Sequence, residues 1–366
     1  MGRWLSPFTR INILRILPFG LIWLFFSLVY SLVEKGLMGD LDKYPATGNP
    51  YHFSKSVWIT GTTALVLGLL MGTVEILFFN TLFPKLSLFR KIVYKLFIYI
   101  LIIIFFLLAV ATLYNANELQ THVLDKRVFK NLWIFFFSFS FWSIEIYIAA
   151  VIGISLMYTE VSENLGQGVL HNFFTGKYHT PKEEERIFMF LDMKSSTTIA
   201  EDMGHVKYFG MLKEYFSDLT NPIIQYFGEI YQYVGDEIVV TWTLKNGVLN
   251  NRCVECFFEM KRTIQKQKMK YQNQFGLVPE FKAGFHYGKV ITGEIGVIKK
   301  EIIFTGDVLN TTARIQSLCN GYGVDLLVSG QLMNKLDLRP PFQIKAMGKN
   351  ELRGRDEKID LFTIYN

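Results

Sequence analysis

Residues 186–198, RIFMFLDMKSSTT, decide the fold of this chain. The apolar run at 187–191 reads as a short buried strand ending in Asp192. Residues 193–197 then turn into a helical run, with Ser and Thr available as N-caps. A strand-end carboxylate followed by free backbone N–H groups at a helix start suits a metal-bound polyphosphate. The carboxylate holds the cation, while the N–H groups and the helix dipole receive phosphate oxygens. The plainer alternative is an Asp that only forms a turn or cap.

Downstream, residues 205–227 carry the spacing of an amphipathic helix. Residues 229–234 and 237–242 read as two strands joined by a tight turn at Gly235-Asp236. A second helix is expected over 248–270. A strand pair at 281–287 and 290–295 around Gly288 follows. Then come a strand at 301–305, a helix at 308–318, a strand at 325–329 and a terminal hairpin within 347–365. This pattern predicts an α+β domain, a mainly antiparallel sheet with flanking helices. Cys253 and Cys256 lie in an apolar-periodic segment and read, with Cys319, as small core residues. Three cysteines make no disulfide framework.

Upstream the composition changes. The whole chain is 50% hydrophobic and 19% charged, short of the roughly 25% charged residues of a soluble domain. The apolar excess lies before about residue 157, in four runs at 13–33, 57–80, 92–114 and 132–157. Each is long enough to span a bilayer. Arg3 and Arg10 precede the first and Arg15 lies at its start; this run lacks a small-residue cleavage site and reads as a retained span. Lys85, Arg90, Lys91 and Lys95 follow the second. The positive-inside rule then places the N-terminus and everything after the fourth span in the cytoplasm, although Lys126, Arg127 and Lys130 run against it. The expected location is the inner (plasma) membrane, multi-pass. The net charge of +6 belongs to these flanks, and no nucleic-acid-binding signature accompanies it. Glu75 and Glu145 fall inside spans, where a carboxylate is a candidate sensing or ion-binding residue, or a hydrogen-bonding partner of a neighbouring helix. Residues 158–178 read as a helix leaving the membrane, with Gly166 and Gly168 working against it. The expected division is 1–157 membrane, 158–185 linker and 186–366 cytosolic.

Asp236 sits in the turn of YVGDEIVV. If its strand neighbours that of Asp192, two carboxylates face one point, which suits Mg²⁺. Two such ions about 4 Å apart clamp an in-line phosphoryl displacement. FLDMKSST, YVGDEIVV, AGFHYGKV and IIFTGDVLNTTARIQ, in this order, resemble the class III nucleotide cyclases over residues 186–366. The membrane part in front resembles that of bacterial membrane adenylate cyclases.

The resemblance implies a class III cyclase fold and a head-to-tail homodimer. It also implies ATP as substrate and two Mg²⁺ (or Mn²⁺) as cofactors. Asp192, Asp236 and the Met193 carbonyl match metal ligands. Met193, Lys194, Ser195, Ser196 and Thr197 match the phosphate-binding turn. Asn310 matches the residue that orients the ribose, and Arg314 the one that stabilises the transition-state phosphate. The metal aspartates of one chain then meet the Asn/Arg pair of the other. An unknown membrane or periplasmic signal would act through the spans.

Three features depart from the pattern. Ser195 and Ser196 replace a common Gly-Phe. Gln232 stands where adenylate cyclases carry Lys. Ile303 stands where Asp or Thr reads adenine, and the Glu/Cys pair of guanylate cyclases is missing too. Arg353 matches either the late phosphate-binding lysine or an ordinary surface position. The reading is an adenylate cyclase. A guanylate cyclase, or a degenerate domain that binds nucleotide or holds a dimer, is the alternative. A small transporter lacks its repeat and broken-helix signature here.

Overall fold

The computed structural model describes residues 6–43, 50–79, 82–83, 86–166, 169–351 and 358–366. The chain divides into two compact units, Thr9–Leu170 and one built on His171–Asn366.

The first unit is helical: α1 Pro7–Met38, α2 Phe53–Val74, α3 Leu88–Glu118, α4 Lys126–Phe136 and α5 Phe139–Leu165. Four helices, all but α4, are long and apolar enough to cross a membrane. The fourth apolar run is not one helix as expected at 132–157. It breaks at Phe137–Ser138, where the Ser138 hydroxyl accepts from the Phe141 N–H at 3.1 Å and starts α5 afresh. Glycines bring α1 and α2 together: a Cβ on Gly68 would stand 2.8 Å from the Phe19 carbonyl, and one on Gly72 2.9 Å from the Phe19 ring.

Charged groups buried in this unit are paired. Lys95 is fully buried, bonds Glu75, and lies 3.1 Å from Glu160. Tyr99 donates to Glu75 at 2.8 Å, Lys91 meets Glu160 at 2.7 Å, and Arg15 bonds Glu163. Lys91 and Lys95, expected as free loop cations, are thus interior ion-pair partners, and Glu75 is held by a neighbouring helix. Glu145 differs: it is buried, and both carboxylate oxygens lack a hydrogen bond among the described residues. Helix α5 runs on to Leu165 and stops at Gly166, whose φ of +96° leaves the helical region. The short α6, Val169–Phe174, follows, so the expected linker helix is interrupted.

In the second unit β1, Lys182–Met193, lies between β3, Glu237–Thr243, and β4, Phe281–Ile295, antiparallel to both. Strand β2, Glu229–Val234, pairs with β3 at one edge. Beyond β4 come β6, Leu326–Ser329, β8, Ile359–Tyr365, and β7, Gln343–Asn350, while β5, Glu301–Thr305, pairs with the far end of β4. Only β4–β6 is parallel among these pairs. The strand expected at 187–191 is longer because its polar ends also pair with β4.

Both faces of β1 are covered, which explains its unbroken apolar run. Ile187, Met189 and Leu191 join Ile238, Val240 and Trp242 under α8, His205–Gln225, and α10, Arg252–Lys266. The expected helix at 248–270 is divided, because Asn250 and Asn251 take φ of +54° and +53° just before α10. On the other face Phe188, Phe190, Val239 and Val290 pack with Val308 of α12, Asp307–Ser317.

Strand β4 corrects a sequence expectation. Gly288 is not a turn between two strands; it lies inside one continuous strand. A Cβ there would meet Val308 at 2.7 Å, and one on Gly284 would stand 2.4 Å from the Gln316 backbone nitrogen. The two glycines let α12 lie directly on the sheet. Gly284→Ala is therefore expected to cost about 1–3 kcal/mol by forcing α12 outward. Gly210→Ala, in α8 with nothing within 4 Å of the added methyl, is expected to gain about 1 kcal/mol. Denaturant unfolding of the two variants checks both signs.

Candidate active site

The register sets Asp192 at the end of β1, opposite Lys282 of β4, one residue beyond the Leu191–Ile238 pair with β3. Asp236 occupies the β2–β3 turn, which Gly235 allows with φ of +63°. The two strands are neighbours, so the two acids converge at this end of the sheet. Asp236 Oδ2 is buried and has no hydrogen-bond partner among the described residues. Burial raises the Asp192 carboxyl above the usual carboxylate range. The neighbouring Asp236 carboxyl raises it further, against the pull of Lys282. Next to them Glu237 is pushed up to about 7, first by burial and then by Asp192 and Asp236.

An orphaned buried oxygen beside a second carboxylate is a site that needs a proton or a cation. Among the described residues no group of three or more His, Cys, Asp or Glu forms a complete ligand set. The pair instead offers hard oxygen donors that fit Mg²⁺ or Mn²⁺, ions that take their remaining ligands from phosphates and waters.

The following turn differs from its expected capping. Ser195 takes φ of +57° and ψ of +28°, and its side chain caps nothing. The left-handed geometry accounts for a Gly preference at this place, and Ser bears its cost. Helix α7, Ser196–Met203, begins there. The N–H groups of Ser196, Thr197 and Thr198 donate to no backbone carbonyl among the described residues. They remain available to an anion. Lys194 is engaged elsewhere: its ammonium meets Asp325 at 2.5 Å and Glu280 at 3.4 Å.

Asn310 and Arg314 lie one turn apart on α12, but not toward Asp192. Thr311, Thr312, Ile315 and Gln316 form the buried face, while Asn310 is exposed and Arg314 half-buried. Gln316, which sequence reasoning passed over, is the α12 residue that reaches Asp192, at 3.1 Å. Lys282 was missed as well, at 3.3 Å from the same oxygen. No sequence signal marks either one, because both depend on register and helix seating.

Gln232 follows a bulge in β2 and pairs with Val239, and Ile303 of β5 pairs with Gly293. Their neighbours Tyr231 and Phe304 meet edge to face with ring centroids 4.9 Å apart, and the Phe304 N–H donates to the Tyr231 hydroxyl at 3.4 Å. This contact ties together the two strands that carry Gln232 and Ile303. Arg353 lies outside the described residues.

Residues 179–366 match the family model of the adenylate and guanylate cyclase catalytic domain. The chain belongs to this family, the class III nucleotide cyclases. It is 34% identical over 224 residues to adenylate cyclase 2 of Rhizobium meliloti, covering 61% of each chain. It is 24% identical over 182 residues to an adenylate cyclase of Anabaena cylindrica, covering 48% of this chain and 36% of that one. The chain thus spans less than two thirds of the length of either relative. A bacterial light-regulated adenylyl cyclase shares the fold, with a TM-score of 0.52 at 18% identity over 62% of this chain and 65% of that one.

The Glu237 shift has a consequence for stability. A carboxyl raised in the folded state favours folding while protonated. Its contribution is complete below the ordinary Glu range near 4.5 and is lost as pH rises through about 7. Without divalent metal, the melting temperature of Glu237→Gln minus that of the unaltered chain should become more positive from pH 5 to pH 8. A constant difference across that range would contradict the placement of Glu237 among buried acids.

Proposed function

We propose that this chain is a membrane-anchored adenylate cyclase that converts ATP to 3′,5′-cyclic AMP and pyrophosphate, at sites shared between two copies. One observation carries the two-chain reading. Gln316 faces Asp192, whereas Asn310 and Arg314 stand on the opposite, accessible side of the same helix. Residues two apart on a helix do not face one point. A single chain therefore leaves its carboxylates without its own Arg314, and a head-to-tail copy supplies the missing half.

Asp192, Asp236 and the Met193 carbonyl would hold two Mg²⁺ or Mn²⁺, which when bound supply Lewis acidity toward the ribose 3′-hydroxyl and the triphosphate. The N–H groups of Ser196 and Thr197 receive phosphate oxygens. Asn310 of the other chain orients the ribose, and Arg314 neutralises charge that grows on the α-phosphoryl oxygens. The bond between the 3′-oxygen and the α-phosphorus forms as the bond to pyrophosphate breaks, and the 3′-hydroxyl proton passes to solvent water. Gln232 meets the purine edge with both a donor and an acceptor, and Ile303 adds only apolar contact. The similarity to adenylate cyclases supports ATP; GTP as the better substrate would identify the guanylate reading.

Four apolar helices support membrane anchoring; the positive-inside distribution of charge is what favours the inner membrane with a cytoplasmic catalytic domain. Residues 158–185 would act as the transducer. Because Glu75 is ion-paired, Glu145 is the acid better placed to make the spans responsive.

The test is the purified full chain in lipid with Mg²⁺ or Mn²⁺ and ATP or GTP, assayed for cyclic product. Cyclic AMP is expected in excess. Asp192→Ala or Asp236→Ala should lower turnover at least about a hundredfold, the scale of losing one electrostatic group, with membrane insertion unchanged. Absence of product from either nucleotide would leave the nucleotide-binding or dimerisation module as the correct reading.

A further inference from the structure

Two donors converge on one oxygen of Asp192. Gln316 Nε2 lies 3.1 Å from Oδ2 and Lys282 Nζ 3.3 Å from it. Both donor residues are buried, at 6% and 8% exposure, while Asp192 itself is half-buried. Gln316 cannot drift, because the bare Cα of Gly284 lets its backbone sit against β4. Lys282 is held as firmly, by the β1–β4 register that sets it opposite Asp192.

We propose that Gln316 is a positioning residue for Asp192. Its amide fixes the plane and rotamer of the carboxylate before a cation arrives. This inference rests on the two-chain reading of the site. Lys282 supplies the counter-charge that lets Asp192 ionise in a half-buried place, but an ammonium on a flexible stem imposes little direction. The amide supplies the direction. A group that orients a metal ligand typically changes metal affinity or activity by tenfold or more when removed. A core residue that merely fills space does not, provided its volume is kept.

The placement has a further feature. Gln316 serves the carboxylate of its own chain, while Arg314, two residues before it, serves the other site. One helix therefore carries supports for both sites, and their effects can be separated in a mixed dimer. Pairing an Asp192→Ala chain with an Arg314→Ala chain leaves one complete site. That site uses Asp192 of the second chain and Arg314 of the first.

Gln316→Met keeps length and volume and removes the donor. Placed in the chain that keeps Asp192, it should raise the Mn²⁺ concentration needed for half-maximal activity about tenfold or more. Placed in the chain that lacks Asp192, it should leave that concentration unchanged. The two arrangements carry the same substitution and the same burden on folding, so a structural role would move both alike. Independently of turnover, the paramagnetic signal of free Mn²⁺ titrated with the full chain should show weaker binding by a similar factor in Gln316→Met. Equal shifts in both arrangements, or Mn²⁺ binding like that of the unaltered chain, would overturn the proposal. If the parental mixed dimer makes no product, the two-chain reading fails, and the Mn²⁺ titration still decides the role of Gln316.

Discussion

Asp192 and Asp236 are forced together at the end of an apolar sheet, and the rest of the second unit depends on that proximity. Burial disfavours the charged form of Asp192, and Asp236 keeps a buried oxygen without a hydrogen-bond partner among the described residues. Several features accommodate the pair. Lys282 brings a positive charge from β4, and Gln316 reaches in from α12. Glu237 responds by holding its proton to about pH 7. A cation would relieve all three acids at once, which is why this end of the sheet fits metal chemistry better than a purely structural role.

The second constraint is the seating of α12. Gly284 and Gly288 remove the side chains that would hold it off β4, so its inner face is fixed against the strand. That contact decides which residues look inward. Gln316 does, and Asn310 and Arg314 therefore cannot. Two groups with obvious phosphate and ribose chemistry are left on the accessible side, away from the acids of the same chain. The proposed dimeric reading draws on this helix geometry as well as on family likeness.

Much of this was legible in the sequence. The run of apolar residues before Asp192 marked a strand buried on both faces. The motif order gave the cyclase fold, which the family match and the fold comparison support. What stayed hidden depends on contacts between distant residues. Gly288 looks like a turn in AGFHYGKV, and only the position of Val308 shows that it is a gap in a continuous strand. Ser138 is a small residue in an apolar run, and its capping bond breaks what reads as one span. Ser195 looks like a cap but adopts a left-handed conformation. Lys95 reads as a loop cation and is instead buried against Glu75 and Glu160. Lys282 and Gln316 have no local signature at all.

The central claim is that the phosphate turn of one chain faces Asn310 of another. Thr197 and Asn310 are both exposed, and the three native cysteines are buried. Thr197→Cys in one tagged chain and Asn310→Cys in a differently tagged one can be joined by a short bifunctional thiol reagent. The reaction is run on the full chains in lipid with Mn²⁺ and a non-cyclisable ATP analogue. The expected result is a covalent species that carries both tags and increases with nucleotide. If mixed chains give no such species, while a single chain bearing both cysteines closes an internal link, the site lies within one chain.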